Sequence, residues 1–267
     1  MLGAIAGDVI GSVHEFAAHK STDFTLFDDN CRFTDDTVLA VAVADCLMNG
    51  WSYVDAFHEY FRAYPNAGYG LRFFHWASAG RRDAYNSYGN GAAMRVPAVG
   101  HAFESLAEVL AEAARSAQVT HDHPEGVKGA QATAAAIFLA RQGEAKPQIK
   151  ESLESLFGYD LSPRLDDLRP TYRFDESCQG TVPPALIAFL ESTDYEDAVR
   201  KAVSLGGDAD TLACIAGAVA EAYYGGVPSE IASRTWDALD DRLRDIVLQF
   251  QRRFGTGAPG SRASSAT

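Results

Sequence analysis

Long apolar runs are missing from this sequence, and so are most signs of a secreted or disulfide-linked protein. The longest apolar stretches, 38–44 and 132–140, are much shorter than the roughly 20 residues that span a membrane. The first residues lack a basic leader and include an early acid, Asp8, so we expect a cytoplasmic protein. The four cysteines are widely separated without a Cys-x-x-Cys pair, which argues against disulfides and structural zinc: Cys31, Cys46, Cys178 and Cys214.

Positive charge is also scarce. The chain has 23 Lys and Arg residues against 36 Asp and Glu residues, a formal net charge of −13. Non-specific binding to nucleic acid depends on clustered Lys and Arg, so nucleic acid is not expected as a non-specific partner. A small anionic ligand remains compatible with this charge, because main-chain N–H groups or bound cations can offset it locally.

Strand signals are rare, which predicts an all-α fold. Alanine is abundant, and apolar residues recur every three to four positions in segments that we predict as helices: 1–13, 37–49, 53–63, 103–117, 126–142, 147–156, 181–191, 195–204, 211–224 and 229–253. Three stretches are predicted to be irregular and, because loops of such length are usually functional, important for activity: 14–33, 64–100 and 158–180. No linker divides the chain, so we predict one domain over 1–254 and a disordered tail over 255–267.

A row of glycines lies along one face of the first predicted helix. Gly3, Gly7 and Gly11 are spaced four residues apart. A glycine inside a helix costs about 1 kcal/mol relative to alanine. Such a row is expected where another backbone comes close, and the small residues of 213–220 predict a second helix with the same property. We therefore expect these helices at the centre of the core.

Two acidic motifs share one arrangement of a hydroxyl, two carboxylates and the start of an apolar helix. The first acidic motif is Thr34-Asp35-Asp36-Thr37, and the second acidic motif is Asp208-Ala209-Asp210-Thr211. Either could be an ordinary helix N-cap. A cap needs only one acceptor, however, and adjacent carboxylates repel unless a cation or protons intervene. Hard cations take oxygen ligands, and neither motif contains the His or Cys typical of zinc, so the pattern favours a pair of ions such as Mg²⁺.

Two further segments combine glycine with polar groups. Residues 7–15 place carboxylates, including Glu15, at the end of the glycine-faced helix. The glycine loop, Ser87-Tyr88-Gly89-Asn90-Gly91-Ala92-Ala93-Met94-Arg95, could surround a phosphate or ribose with main-chain N–H groups. An ordinary turn is the alternative interpretation of this loop.

Taken in order, these segments resemble the motifs of the ADP-ribosylglycohydrolase family, which includes dinitrogenase-reductase-activating glycohydrolase and the ADP-ribosyl-acceptor hydrolases. The resemblance extends from Gly3 to about Gly225. Gly7-Asp8-x-x-Gly11-x-x-x-Glu15 resembles the opening motif, and the two acidic motifs resemble the family's metal motifs. The glycine loop resembles the ribose- and phosphate-binding loop, and Thr120-His121 with Gly126 resembles the motif that follows it.

The resemblance implies a compact orthogonal helical bundle with two Mg²⁺ ions, or Mn²⁺ in some members, at the base of an ADP-ribose cleft. The implied metal ligands are Thr34, Asp35, Asp36, Asp208, Asp210 and Thr211. The implied substrate-binding residues are Glu15, Ser87, Tyr88, Gly89, Asn90, Gly91 and His121. Glu15 matches a mobile glutamate that assists catalysis in some branches, and we expect Asp208 to share the catalytic role.

The reaction implied is hydrolysis of the bond between the distal ribose C1″ and an acceptor, a protein side chain or a small molecule. Its transition state would resemble an oxocarbenium ion. Metal ions would orient the ribose hydroxyls and activate a water molecule positioned by Asp208, while Glu15 handles a proton. Ser87 stands where the arginine-directed branch has an aspartate, which favours O-linked acceptors such as serine.

Two other functions are compatible with parts of the pattern. A non-catalytic ADP-ribose-binding or crystallin-like protein would keep the fold, but it has no need of four clustered aspartates. A two-metal phosphohydrolase acting on nucleotide diphosphates would share the acidic motifs, but it has no evident need of the glycine loop.

Overall fold

The computed structural model describes residues 1–255, and these residues form helices and connecting segments without a β-sheet. The predicted all-α class is therefore confirmed. Residues 256–267 of the predicted tail lie outside the described residues. The helices are α1 (Leu2–Gly11), α2 (Asp35–Asn49), α3 (Tyr53–Ala63), α4 (Leu71–Ser78), α5 (Gly91–Met94), α6 (Pro97–Ala102), α7 (Leu106–Gln118), α8 (Pro124–Arg141), α9 (Lys146–Phe157), α10 (Leu165–Leu168), α11 (Cys178–Leu190), α12 (Tyr195–Val203), α13 (Ala209–Tyr224), α14 (Ser229–Ala238) and α15 (Asp241–Phe254).

The centre of the fold is the close packing of α1 against α13. A Cβ atom added to Gly3 would lie 2.5 Å from the carbonyl oxygen of Gly217, and one added to Gly11 would lie 2.5 Å from that of Ala209. At Gly7 it would overlap the backbone of Ala213. The glycine row thus allows backbone-to-backbone contact, as predicted. The contact places the C-terminal end of α1 beside the N-terminal end of α13, where the second acidic motif lies.

Other helices enclose this central pair. Helices α8, α11 and α12 pack on α13, while α2 contacts both central helices. Cys46, Cys178 and Cys214 are buried and Cys31 is half-buried, and all four are free thiols. No helix within 1–255 is long and apolar enough to cross a membrane.

Several predicted boundaries were wrong. The stretch 64–100 was predicted to be irregular, but it contains α4, α5 and most of α6, and 158–180 contains the short helix α10 and the start of α11. Phe73 and Trp76 of α4 are buried three residues apart, so one apolar face is enough to hold this helix on the core. The single helix predicted over 229–253 is two helices, because the Asp240 side chain accepts a hydrogen bond from the Leu243 N–H at 2.9 Å and starts α15.

Candidate active site

The first acidic motif is the N-terminal turn of α2. Thr34 is the N-cap residue, and its hydroxyl accepts a hydrogen bond from the Asp36 N–H at 3.3 Å. The N-cap interpretation is therefore correct for Thr34. Asp35 and Asp36 lie in the first turn, where the helix dipole favours negative charge. Because Thr34 provides the cap, both carboxylates are available for other contacts.

Asp8 of α1 holds this turn in place, a role that the sequence analysis did not assign. The side chain is fully buried. Its carboxylate accepts hydrogen bonds from the N–H and hydroxyl of Thr34, at 2.9 and 2.7 Å. It also accepts from the Thr37 N–H at 3.1 Å and from the Thr37 hydroxyl. The signal in the sequence was an acid in the middle of an otherwise apolar, glycine-rich helix.

The second acidic motif meets the first through a direct hydrogen bond. The hydroxyl of Thr211 donates to Oδ1 of Asp36 at 3.3 Å. Asp208 occupies the N-cap position of α13 but makes no side-chain cap bond, and its Oδ2 accepts from Nδ2 of Asn90 at 2.7 Å. Asn90 also donates to the Thr181 hydroxyl at 3.0 Å. The fold therefore joins residues 175 positions apart and ties the glycine loop to the second acidic motif.

Glu15 completes a compact group of carboxylates. One oxygen from each of Glu15, Asp208 and Asp210 lies within 4.8 Å of the others. Burial, followed by the charges of Asp210 and Asp8, raises the pKa of Glu15 to about 8. Burial raises the pKa of Asp208 to about 6, and burial together with neighbouring carboxylates raises the pKa of Asp210 well above its usual value. The group is thus costly to keep ionised without a cation.

The donor set fits a hard divalent cation. The clustered side-chain atoms that could bind a metal are carboxylate oxygens, and Mg²⁺ prefers oxygen ligands. Oδ2 of Asp36 is buried, and no residue within 1–255 forms a hydrogen bond with it. Burial and the charge of Asp210 raise the pKa of both Asp35 and Asp36 well above its usual value. An oxygen-binding cation would satisfy the orphaned acceptor and offset the repulsion together.

The carboxylates form the base of a cleft of about 340 Å³. Predicted residues that line it are Glu15, Asp35, Asp36, Ser87, Gly89, Asn90, Gly91, His121, Asp208, Asp210 and Thr211. Two predicted residues lie elsewhere. Thr34 is buried against Asp8, and the Tyr88 side chain is 47% exposed, with its ring 5.3 Å from that of His123. His123 caps α8, since its Nδ1 accepts from the Glu125 N–H at 3.1 Å.

The glycine loop is anchored at both ends of its polar segment. The Asn90 N–H donates to the Glu176 carbonyl at 2.7 Å, and the Cys178 N–H donates to the Tyr88 carbonyl at 2.8 Å. The loop therefore packs against the start of α11. Its C-terminal residues form α5 rather than the irregular segment that was predicted.

His121 approaches the loop where glycine leaves room. A Cβ atom added to Gly89 or Gly91 would lie 3.4 Å from its Nε2. Its Nδ1 is 2.7 Å from the Thr120 hydroxyl, which accepts a hydrogen bond from the buried Arg95. Burial, then the charges of Arg95 and Arg72, lowers the pKa of His121 well below its usual value. A neutral imidazole thus faces the loop.

The cleft includes residues that were not predicted to bind the metal or the substrate, although Met94 and Arg95 among them belong to the glycine loop. They come from α2, from the stretch 68–73, from the glycine loop and the residues just before it, and from the segment before α11. These residues are Leu39, Gly68, Gly70, Leu71, Arg72, Phe73, Tyr85, Met94, Arg95, Phe174 and Glu176. At its rim, Phe16 next to Glu15 stacks on Phe174 with ring centroids 5.7 Å apart. The side chains of Phe16 and Phe174 are 81% and 46% exposed. Isolated aromatic residues of this kind have no motif by which a sequence could place them.

A family comparison accounts for this combination of motifs and cleft. The family model described as ADP-ribosylglycohydrolase matches residues 1–259. The chain belongs to the ADP-ribosylglycohydrolase family. The family predicted from the motifs and the predicted enzyme class, an ADP-ribosyl glycohydrolase, are both confirmed.

Individual relatives agree with this family. The ADP-ribosylhydrolase ARH3 of Homo sapiens is 28% identical over 307 aligned residues, covering 84% of this chain and 84% of ARH3. The ADP-ribosylarginine hydrolase Tri1 of Pseudomonas putida (strain GB-1) is 27% identical, covering 86% of this chain and 71% of Tri1. A solved structure titled ADP-ribosylglycohydrolase-related protein complex superposes with a TM-score of 0.65 at 29% identity, covering 94% of this chain and 96% of that one. The predicted fold type is thus confirmed.

Proposed function

We propose that this enzyme is an Mg²⁺-dependent hydrolase that releases ADP-ribose from a modified acceptor by cleaving the bond at C1″. The observation that carries the proposal is the meeting of three separate segments at the base of one cleft. Glu15, Asp208 and Asp210 have carboxylate oxygens within 4.8 Å, and the Thr211 hydroxyl bonds to Asp36 at 3.3 Å. The cleft wall beside them carries the glycine loop.

The metal site is assigned to oxygen ligands from both acidic motifs. Asp35, Asp36, Asp208 and Asp210 would supply carboxylates and Thr211 a hydroxyl, which suits two Mg²⁺ or Mn²⁺ ions. Thr34, whose hydroxyl donates to Asp8 and accepts from the Asp36 N–H, would contribute by orienting Asp36. When bound, such ions can orient ribose hydroxyls and lower the pKa of a water molecule.

Side chains of the protein would position the attacking water and transfer the proton. Asn90 fixes the orientation of the Asp208 carboxylate, which positions the attacking water. Water adds to C1″ as the bond from C1″ to the acceptor breaks, through an oxocarbenium-like transition state. Glu15 gives its proton to the leaving acceptor and takes one back from the attacking water, so the protons balance. Ser87, Gly89, Gly91 and the neutral His121 line the part of the cleft that would hold the ribose and diphosphate.

The acceptor is proposed from Ser87, which lines the cleft. Its short hydroxyl carries no charge, so it offers no counter-charge to a guanidinium leaving group. We therefore propose O-linked acceptors, such as ADP-ribosylated serine, ahead of ADP-ribosylated arginine. The name of Tri1 states arginine as the acceptor, whereas the name of ARH3 states no acceptor. The two names therefore do not distinguish between these substrates.

The test is product analysis with three substrates: an ADP-ribosylated serine peptide, ADP-ribosylated arginine and O-acetyl-ADP-ribose. With Mg²⁺ present, we expect intact ADP-ribose and the free acceptor, and no release in the presence of a chelator. Formation of AMP would instead identify a phosphohydrolase. Binding of ADP-ribose without turnover of any substrate would identify a non-catalytic binding protein.

Two variants test the metal assignment. Asp36→Asn and Asp210→Asn should each abolish release of ADP-ribose, because each removes a charged ligand from the site. Asp83→Asn is the matched control, since Asp83 is exposed and lies outside the cleft lining. Near-normal activity of either cleft variant in Mg²⁺ would contradict the metal assignment.

A further inference from the structure

The cleft is strongly acidic for a site that must hold a diphosphate. Its lining contains six carboxylate side chains: Glu15, Asp35, Asp36, Glu176, Asp208 and Asp210. Among the described residues, the lining cations are Arg72 and Arg95. Divalent ions would offset the carboxylates at the base, and a positive charge at the approach to the glycine loop would further favour a diphosphate there. Which arginine can supply it depends on how each is bound.

Arg95 lies in the protein interior. Its side chain is completely buried, with the guanidinium 4.5 Å from the centre of the Phe57 ring. It donates to the Ser116 carbonyl at 2.7 Å and to the Thr120 hydroxyl at 3.0 Å. Arg95 therefore uses Nη2 to hold the backbone that precedes His121, while its Nε and Nη1 have no hydrogen-bond partner among the described residues. Because the whole side chain is buried, it is not the arginine that an incoming ligand meets first.

Arg72 is accessible and held against the cleft wall. It lies in the first turn of α4, and its Nη2 donates to the Tyr85 carbonyl. The guanidinium lies 5.0 Å from the centre of the Tyr85 ring, and that ring is 5.9 Å from the ring of His121. Within the described part of the chain, Arg72 forms no salt bridge. Its charge is thus held in position beside His121 without a carboxylate partner.

We infer that Arg72 binds the diphosphate of the ADP-ribosyl group, an inference that rests on the proposed function. A guanidinium offers five N–H donors in a planar fork that matches phosphate oxygens. The bond to the Tyr85 carbonyl uses one of its nitrogens, which leaves the others for the ligand. The contact with the Tyr85 ring also limits the side-chain entropy that would be lost on binding. Arg72 is thereby a binding residue outside the motifs of the glycine loop.

The test is calorimetric measurement of ADP-ribose affinity in Mg²⁺ for the wild type, Arg72→Gln, Arg72→Lys and Arg81→Gln. Glutamine keeps a donor for the Tyr85 carbonyl but removes the charge. We expect Arg72→Gln to weaken binding about 10- to 100-fold, the worth of a charge-assisted hydrogen bond. Arg72→Lys should recover part of this loss. Arg81→Gln, an exposed arginine outside the lining, should leave affinity unchanged.

Salt dependence separates a phosphate contact from a purely structural role. If Arg72 meets the diphosphate, the difference between wild type and Arg72→Gln should shrink at high salt, because screening weakens the charge interaction. A difference that is independent of salt would assign Arg72 to positioning of the Tyr85 segment and overturn the inference. Equal affinities of Arg72→Gln and Arg81→Gln would also overturn it, leaving the proposed function intact. Failure of the wild type to bind ADP-ribose would overturn both.

Discussion

Thr34 is joined to Asp8 by two hydrogen bonds, from its N–H at 2.9 Å and from its hydroxyl at 2.7 Å. The pair connects the first turn of α2 to the middle of α1. Because α1 packs directly on α13, the same pair sets the distance between the two acidic motifs. The geometry of the proposed metal site therefore depends on a buried acid that lies outside both motifs.

Asp8→Asn should weaken both the fold and the metal site. The substitution places an amide N–H₂ among groups that are all donors, so buried hydrogen bonds are lost without a change in volume. We expect the free energy of unfolding to fall by about 2 to 4 kcal/mol. Urea unfolding measures this loss, and calorimetry should show weaker Mg²⁺ binding. The exposed variant Asp83→Asn should stay within about 0.5 kcal/mol of the wild type, and an equally small effect of Asp8→Asn would contradict this role.

Gly7→Ala should destabilise the protein although alanine favours helix. The added methyl group would overlap the backbone of Ala213, so α1 and α13 would have to separate. Overpacking of this kind costs about 3 kcal/mol, which exceeds the roughly 1 kcal/mol gained in helix propensity. The measurement is the midpoint of urea unfolding. Gly70→Ala is the control, because nothing lies within 4 Å of its added Cβ; a stabilised Gly7→Ala variant would refute the close packing.

The packing of α1 against α13 was predictable from sequence because the glycine row of α1 is a local pattern that indicates close helix packing. Helix propensity disfavours glycine at positions 3, 7 and 11, so a row of glycines there indicates that another backbone packs closely on this face. Helix α4 was missed because its buried face consists of little more than Phe73 and Trp76, next to a glycine-rich stretch. A short amphipathic helix of this kind gives too few repeats for its period to be recognised.

The candidate site was predictable where its residues form contiguous motifs. The acidic motifs and the glycine loop each carry several polar groups in a few positions, so their chemistry is visible before folding. Arg72, Phe174 and Glu176 are single residues in segments without a motif, and only the tertiary fold brings them to the cleft. Asp8 was visible as an acid in an apolar helix, but its partners Thr34 and Thr37 could not be read from its own segment.

Metal binding should stabilise the protein as well as activate it. A ligand that binds the native state alone raises stability by mass action, by about 2.7 kcal/mol at a hundredfold excess over its dissociation constant. We therefore expect Mg²⁺ to raise the Tm of the wild type and a chelator to reverse the shift. Asp210→Asn should show little or no shift, whereas Asp83→Asn should respond like the wild type. A Tm that is insensitive to Mg²⁺ and Mn²⁺ in the wild type would contradict the proposed metal site.

Asn90→Ala should impair turnover more than stability. Nδ2 of Asn90 donates to Asp208 at 2.7 Å, and without it the carboxylate can rotate away from the orientation needed to position water. Loss of a partner that orients a metal ligand typically costs about 10- to 100-fold in activity or metal affinity, and we expect a fall of that size in kcat/KM. Asn49→Ala is a matched control, because Nδ2 of Asn49 also donates to an aspartate carboxylate, that of Asp45, at 2.6 Å. Asn49 and Asp45 both lie outside the cleft lining. If the two alanine variants lost equal activity, the effect would come from general loosening of the fold. A selective loss in Asn90→Ala would instead show that the glycine loop acts on the reaction by orienting Asp208, in addition to any contact it makes with the ligand.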